Sequence, residues 1–267
     1  MGLRTAKNMR KLDEYEILHV QKSGPGLRRL KNQGLEVVSL ESAMPKADVA
    51  ILAIPDVAIG RVSEEIVPML PSGAMVLCLD PAAAHAQRLA IREDLSYFIT
   101  HPCHPPLFND EVTEDARKDH FGGVHAKQHI VCALFRGPEG DYQKGEKIAR
   151  AMFAPVMNAY RMTVEQMAIL EPALVETIGV TMLIAVRQAL EKSIQMGVPE
   201  DAAREFLFGH LRIAIAQVFG FVDYPMSDGA QLAAKQAFGK IFRPDWLENV
   251  MNMERIAESV AEITRRE

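Results

Sequence analysis

The stretch THPCHPPLFND, Thr100 to Asp110, sets His101, Cys103 and His104 among Pro102, Pro105 and Pro106. Proline fixes φ and restricts its preceding neighbour, so the chain itself directs both imidazoles. Rings held in this way suit three tasks: binding a metal ion, moving a proton, or decorating a stiff turn. A structural zinc site needs about four ligands, usually paired. Cys103 and His104 supply at most one half, and His120, His125 and His129 offer no matching Cys/His pair. A catalytic ion needs fewer protein ligands and keeps open positions. Cys103 lacks an activating base and is not read as a nucleophile.

Other residues invite the same question. Glu171 lies in the apolar stretch AILEPALVETIGVTMLIAV. An ionised carboxylate there is costly without a partner, and Pro172 cannot donate to the carbonyl of Ala168, so a kink is expected beside the charge. Glu171 is therefore either a second ligand or a solvent-facing group next to a kink. Glu176 and Thr181 either line the same cleft or serve helix solvation and packing. Asn109 and Asp110 bind substrate hydroxyls or form a turn, with the turn favoured. His210, in FLFGHLRIAIA, is expected to be a satisfied core histidine.

What must position these groups is legible in the hydropathy pattern. The chain has 267 residues, 48% of them apolar, enough for a sizeable core. A net charge of −5 and a pI near 5.9 argue against a nucleic-acid partner. No unbroken apolar run reaches the roughly 18 residues of a membrane span, and the N-terminus lacks a signal-peptide pattern. Cys78, Cys103 and Cys132 read as reduced thiols of a cytoplasmic protein.

Up to about residue 155, the runs YEILHV, LEVVSL, DVAILAIP, AMVLCLD, SYFITHP and HIVCALF alternate with amphipathic segments. Several are apolar without alternation, as in parallel strands covered on both faces. This βα repetition predicts an α/β fold, a Rossmann-like parallel sheet. From Thr163 to Met196 the grammar is helical. Thr163 and Gln166 form a capping box, Gly197 is a stop, and Pro199 opens the next helix. The expected domains are 1–157, nucleotide-binding, and 158–267, helical. The latter is apolar nearly all round along its first helix, which predicts a homodimer.

The front of the sheet is unusual. Residues 2–12 look like the first helix and EILHV like the second strand, with neither a preceding strand nor a G-x-G-x-x-G turn. Pro55 and Asp56 follow the strong run VAILAI and are expected at the switch-point crevice on the cofactor's path, with Asp56 also an N-cap candidate.

The segments THPCHPPLFND, HFGGVHAKQHIVCAL, GPEGDY and MTVEQMAILEP closely resemble the D-apionate oxidoisomerase family, relatives of the β-hydroxyacid and phosphogluconate dehydrogenases. The resemblance runs from Met1 to about residue 265. It implies an NAD-dependent oxidation of a small branched sugar acid, coupled to an isomerisation that moves an acyl group. It also implies a nucleotide domain followed by a helical, dimer-forming one. Met1-Gly2 resembles the tail of the family's glycine-rich turn, so the chain is expected to begin inside the cofactor fingerprint.

Two departures matter. Where an acidic residue usually binds the adenosine ribose, this chain has Gln21-Lys22, which leaves NAD and NADP both open. After Asp80, the block DPAAAHAQ brings Pro81 and His85 near the expected nicotinamide contacts.

With the resemblance in hand, His101 and Glu171 are expected to share a divalent ion such as zinc, which stabilises charge on neighbouring oxygens during an acyl shift. His104 is a further ligand, a general base, or a loop histidine bonded to backbone. The expected site is thus His101, His104 and Glu171 for catalysis, with Gly2, Gln21, Lys22, Pro55, Asp56 and Asp80 around the cofactor. Other readings are a plain hydroxyacid dehydrogenase without isomerisation, and a non-catalytic remnant that has lost its cofactor turn.

Overall fold

The structure is a computed structural model and describes residues 1–265. The chain divides into two compact units. One comprises Met1–Leu170 with the C-terminal stretch from Ala257, and the other Glu171–Ile256.

The first unit is built on five strands in sequential order: β1 (Val49–Leu52), β2 (Met75–Cys78), β3 (Ser96–Pro102), β4 (Gln128–Arg136) and β5 (Val156–Arg161). Strands β1, β2 and β3 are parallel, β4 runs antiparallel to β3, and β5 is parallel to β4. Around them lie α1 (Gly2–Met9), α2 (Gly24–Asn32), α3 (Leu40–Ala43), α4 (Asp56–Ile66), α5 (Ala82–His85), α6 (Glu114–Lys118), α7 (Asp141–Met152) and α8 (Val164–Ala168).

Alternation along the strands sends side chains to two cores. Val76, Cys78, Tyr97 and Ile99 pack with Ile59 of α4, Ala83 and Ala84 of α5, and Met167 of α8. Met75, Leu77 and Phe98 pack on the other face with Met9 of α1 and Tyr142, Ile148 and Met152 of α7. Both faces are covered, which explains why the strands read as continuous apolar runs.

Two differences from the sequence reading have physical causes. The runs EILHV and LEVVSL form no strand among the described residues and meet at a single parallel bridge, His19 to Val37. Two segments paired only with each other have little to extend them. Strand β5 falls where the pattern suggested a boundary, because its residues are mostly exposed and carry no buried run.

The second unit is helical. A continuous helix, Val164–Gln195, leaves α8, passes through a π-helical segment Ile169–Val180, and ends as α9 (Thr181–Gln195). Then come α10 (Glu200–Val218) and α11 (Asp228–Ile241), and α12 (Met253–Ile263) begins in this unit and continues into the C-terminal stretch assigned to the first. The capping box at Thr163 and Gln166 is present, and Gly197 takes φ +100° where the helix stops.

By length and composition alone this helix could cross a membrane, although Glu171 and Glu176 interrupt it. Leu183 (61%), Phe206 (68%) and Phe219 (72%) are exposed within the single chain. His210 is exposed as well, stacked on Phe206, rather than in a core, because this face of α10 is not covered within the chain.

Candidate active site

The carboxyl ends of β2 and β3 are adjacent, and there the sheet offers its chemistry. His101 is the penultimate residue of β3. Its Nδ1 lies 2.8 Å from the carbonyl oxygen of Leu79, just past β2. A carbonyl can only accept, so Nδ1 carries the proton and Nε2 presents its lone pair. Asp80 stands beside the ring, with Oδ2 4.0 Å from His101 Nδ1. Its Oδ1 accepts the N–H of Ala82 at 2.8 Å, which ties the carboxylate to the start of α5. Burial lowers the pKa of His101, and the neighbouring His104 works in the same direction. The Leu79 carbonyl and the Asp80 charge oppose the shift without reversing it. The ring is therefore neutral near pH 7, as a ligand or base must be.

His104 sits where the proline-rich loop turns, at φ +61°, a region few non-glycine residues occupy. Its Nδ1 donates to the carbonyl of Phe121 at 2.9 Å, so its Nε2 is also an acceptor. The His104 ring packs edge-on against Phe121, with centroids 4.6 Å apart, and against His101 at 6.2 Å. Cys103 N–H donates to the carbonyl of His129 at 2.9 Å, which anchors the loop to β4.

The support beneath this loop had no chemical signature in the sequence beyond Gly122-Gly123. Both glycines take φ +74°, and a Cβ on Gly122 would come within 2.8 Å of Pro105 and Gln128. Asp119 gathers the backbone N–H groups of Gly122, Val124, His125 and Ala126 and pairs with Arg4 of α1. Burial would raise the Asp119 pKa, but those amides and Arg4 hold it below the ordinary carboxylate value. Arg4 also lies over the Phe121 ring, 4.9 Å from its centroid. Asp119, Phe121 and Arg4 thus position His104 through α1.

The residues expected around a dinucleotide fall on this same end of the first unit. Gly2 opens α1 against the end of β1, where a Cβ would stand 3.2 Å from that of Ala53. Such close helix–strand contact is the role of the last glycine in a dinucleotide fingerprint. Pro55 is the N-cap of α4 and Asp56 its first helical residue, so the capping role expected of Asp56 is not realised. Gln21 and Lys22 follow the His19 bridge and lead into α2, with Lys22 paired to Glu65 of α4.

Elsewhere, Asn109 bonds to the Pro106 carbonyl and the Glu111 N–H, a turn, and Asp110 pairs with Lys127. Cys78, Cys103 and Cys132 are free thiols. In the second unit, Glu171 precedes Pro172 in the first turn of the π-helical segment. The segment is π-helical where Pro172 removes an N–H from the helical ladder.

A Rossmann-like sheet followed by an all-helical unit defines a two-part dehydrogenase architecture. Residues 1–114 match the acetohydroxy acid isomeroreductase NADPH-binding domain, and residues 109–264 match the phosphogluconate dehydrogenase (decarboxylating) C-terminal family. The D-apionate oxidoisomerase of Rhizobium rhizogenes is 49% identical over 265 residues, 99% of this chain and 96% of that one. The enzyme of that name from Cupriavidus necator is 46% identical, over 99% and 95% of the two chains. A solved semialdehyde dehydrogenase NAD-binding protein from Cupriavidus necator, in complex with calcium and NAD, shares 46% identity. It superposes with a TM-score of 0.94 over 98% of this chain and 95% of that one. The chain belongs to the D-apionate oxidoisomerase family, a family of enzymes.

Proposed function

We propose that this chain is a nicotinamide-dinucleotide-dependent oxidoreductase that acts on D-apionate or a close branched sugar acid and moves an acyl group in the same reaction. The observation that carries the reading is the His101–Leu79 hydrogen bond, which makes Nε2 the lone-pair nitrogen of a ring that stands beside Asp80 at the carboxyl end of the sheet. The close seat of Gly2 on Ala53 supports a dinucleotide over the start of α1. Pro55, Asp56 and Asp80 border its path.

The bound nicotinamide supplies the hydride acceptor. His104 takes the proton from the substrate carbinol through Nε2, since its Nδ1 is committed to the Phe121 carbonyl. Its strained backbone is held by Phe121 and by the Asp119–Arg4 pair, so the base does not have to find its place during turnover.

We further propose that His101 and Glu171 hold a divalent cation, with Asp80, beside the His101 ring, as a third donor. Oxygen and imidazole donors suit zinc, manganese or magnesium better than a soft ion. A metal-ligating histidine commonly donates its other N–H to a carbonyl, which is what Leu79 accepts. Such a cation polarises adjacent substrate oxygens.

The exposed apolar faces of α9, α10 and α11 support a homodimer, since so much apolar surface on one unit calls for a partner.

The test is a spectrophotometric assay of dinucleotide reduction with D-apionate and a divalent ion, with the product identified by carbon NMR. A rearranged carbon skeleton is expected. An oxidised but unrearranged product would make the chain a plain hydroxyacid dehydrogenase. No reduction with any branched sugar acid would overturn the reading.

A further inference from the structure

Helix α1 has a buried face and a charged one. Thr5, Ala6, Asn8 and Met9 pack into the first unit. Leu3, Lys7 and Arg10 fall on the other side at helical spacing, with Arg4 and Lys11 beside them. This side lines a cleft of about 810 Å³. Gln33 and Leu35, just past α2, and Lys118 and Asp119, at the end of α6, also line it.

Five Lys and Arg side chains therefore meet two carboxylates, Asp115 and Asp119. Asp119 is already spent on Arg4 and on the backbone N–H groups beneath His104. Lys118 is held by Glu114, and Lys11 reaches the neutral Oδ1 of Asn8 at 3.3 Å. Lys7 and Arg10 have no ion pair among the described residues. Like charges three and four residues apart on one helix repel, so Lys7 gains nothing from Arg4, Arg10 or Lys11. Composition does not force this arrangement. The chain has 35 acidic and 30 basic residues, yet residues 1–34 hold eight Lys and Arg against three Asp and Glu. A concave surface with such a surplus concentrates anions.

The dimensions select the anion. Arg4 and Arg10 are six residues apart, about 9 Å along the helix axis. Guanidinium and ammonium groups both suit phosphate. Leu3 and Leu35 offer apolar contact to a carbon skeleton. Two phosphates on a short carbon chain match this wall, whereas one phosphate leaves part of it unused. The cleft also touches the support of the proposed base. Arg4 pairs with Asp119 and covers Phe121, whose carbonyl accepts His104 Nδ1. We propose that this cleft binds a small organic bisphosphate, which draws Arg4 from Asp119 and so lowers turnover. The binding is separate from the dinucleotide reading, and the effect on turnover rests on the reading of His104 above.

Calorimetric titration of the whole chain with fructose 1,6-bisphosphate, in the presence of saturating NAD, tests the site. Binding is expected, with fructose 6-phosphate at least about tenfold weaker. Lys7→Gln combined with Arg10→Gln, both at exposed positions, is expected to weaken the bisphosphate by about tenfold or more. NAD affinity and basal turnover should not change in that variant. Saturating bisphosphate is expected to lower kcat about fivefold or more in the wild type, and the same concentration to have no effect in the double variant. No binding at millimolar concentration, equal affinity for the two sugar phosphates, or displacement of the bisphosphate by NAD would overturn the site. Binding with unchanged kcat would overturn its regulatory role. If NAD itself fails to bind, the dinucleotide reading falls, and loss of bisphosphate binding in the double variant still identifies the cleft.

Discussion

The imidazole of His101, on β3, is locked by the main-chain carbonyl of Leu79, beyond β2, across 2.8 Å. The bond joins two neighbouring parallel strands at their carboxyl ends and decides which ring nitrogen carries the proton. His101→Ala is expected to lower kcat/KM by roughly 10²–10⁴-fold, the range for a positioned proton-transfer or ligand group. The melting temperature should change little, because the ring is 23% exposed and contributes modestly to the core. His101→Gln should retain part of the activity through its amide oxygen. Near-normal turnover in both variants would show that HPCHPP is only a stiff corner.

Metal dependence follows from the proposed donor set of Asp80, His101 and Glu171. Dialysis against EDTA is expected to abolish turnover, and zinc, manganese or magnesium to restore it. Glu171→Gln should raise the ion concentration needed for half-maximal activity while leaving the fold intact. Full activity after chelation, with no metal detected by elemental analysis, would remove the ion from the reaction.

Gly145 of α7 lies directly against the Phe98 ring, and a Cβ there would fall within the ring atoms. Phe98 is fully buried and tilts against Tyr142, so it has little room to yield. Gly145→Ala should cost about 1–3 kcal/mol in urea unfolding despite the higher helix propensity of alanine. Adding Phe98→Leu should recover part of that loss. A stabilised single variant would contradict the close packing of Gly145 on Phe98.

The three thiols should differ sharply in reactivity. Burial pushes Cys78 up to about 12 and Cys132 up to about 11, whereas Cys103, also raised by burial, still has an exposed side chain. The thiolate is the reactive form, and it must be reached. Iodoacetamide near neutral pH should label Cys103 alone in the native protein and all three cysteines in urea, as read by peptide mass spectrometry. Equal labelling of Cys78 in the native state would contradict its burial.

Sedimentation at micromolar concentration should give a dimer. Leu183 on α9 and Phe206 on α10 are exposed in the single chain, and burying each contributes about 1.5–3 kcal/mol. Leu183→Glu combined with Phe206→Glu should shift the population to monomer without loss of helicity by circular dichroism. A wild-type protein that stays monomeric would leave the apolar helices unexplained by self-association.

The sequence by itself determined the parts that depend on local pattern. Apolar runs without alternation marked β1 to β4, because both faces of the sheet are covered and each strand records this in its own residues. Thr163, Gln166 and Gly197 marked the bounds of the long helix, since caps act over three or four residues. The run SYFITHP placed His101 at the end of a strand, and the prolines made its loop stiff. Strand direction was not legible, because burial patterns look alike in parallel and antiparallel neighbours, and only the hydrogen bonds of β3 and β4 distinguish them. Nor was β5, an edge strand with too few buried residues to announce itself. Only the tertiary structure decided that Leu79 fixes the His101 tautomer, that Asp80 stands beside that ring, and that Phe121 and the Arg4–Asp119 pair hold His104. These partners lie 17 to 115 positions apart. A side chain's residue type says what it can donate or accept, but the partner it meets is set by how the chain returns to the same sheet edge.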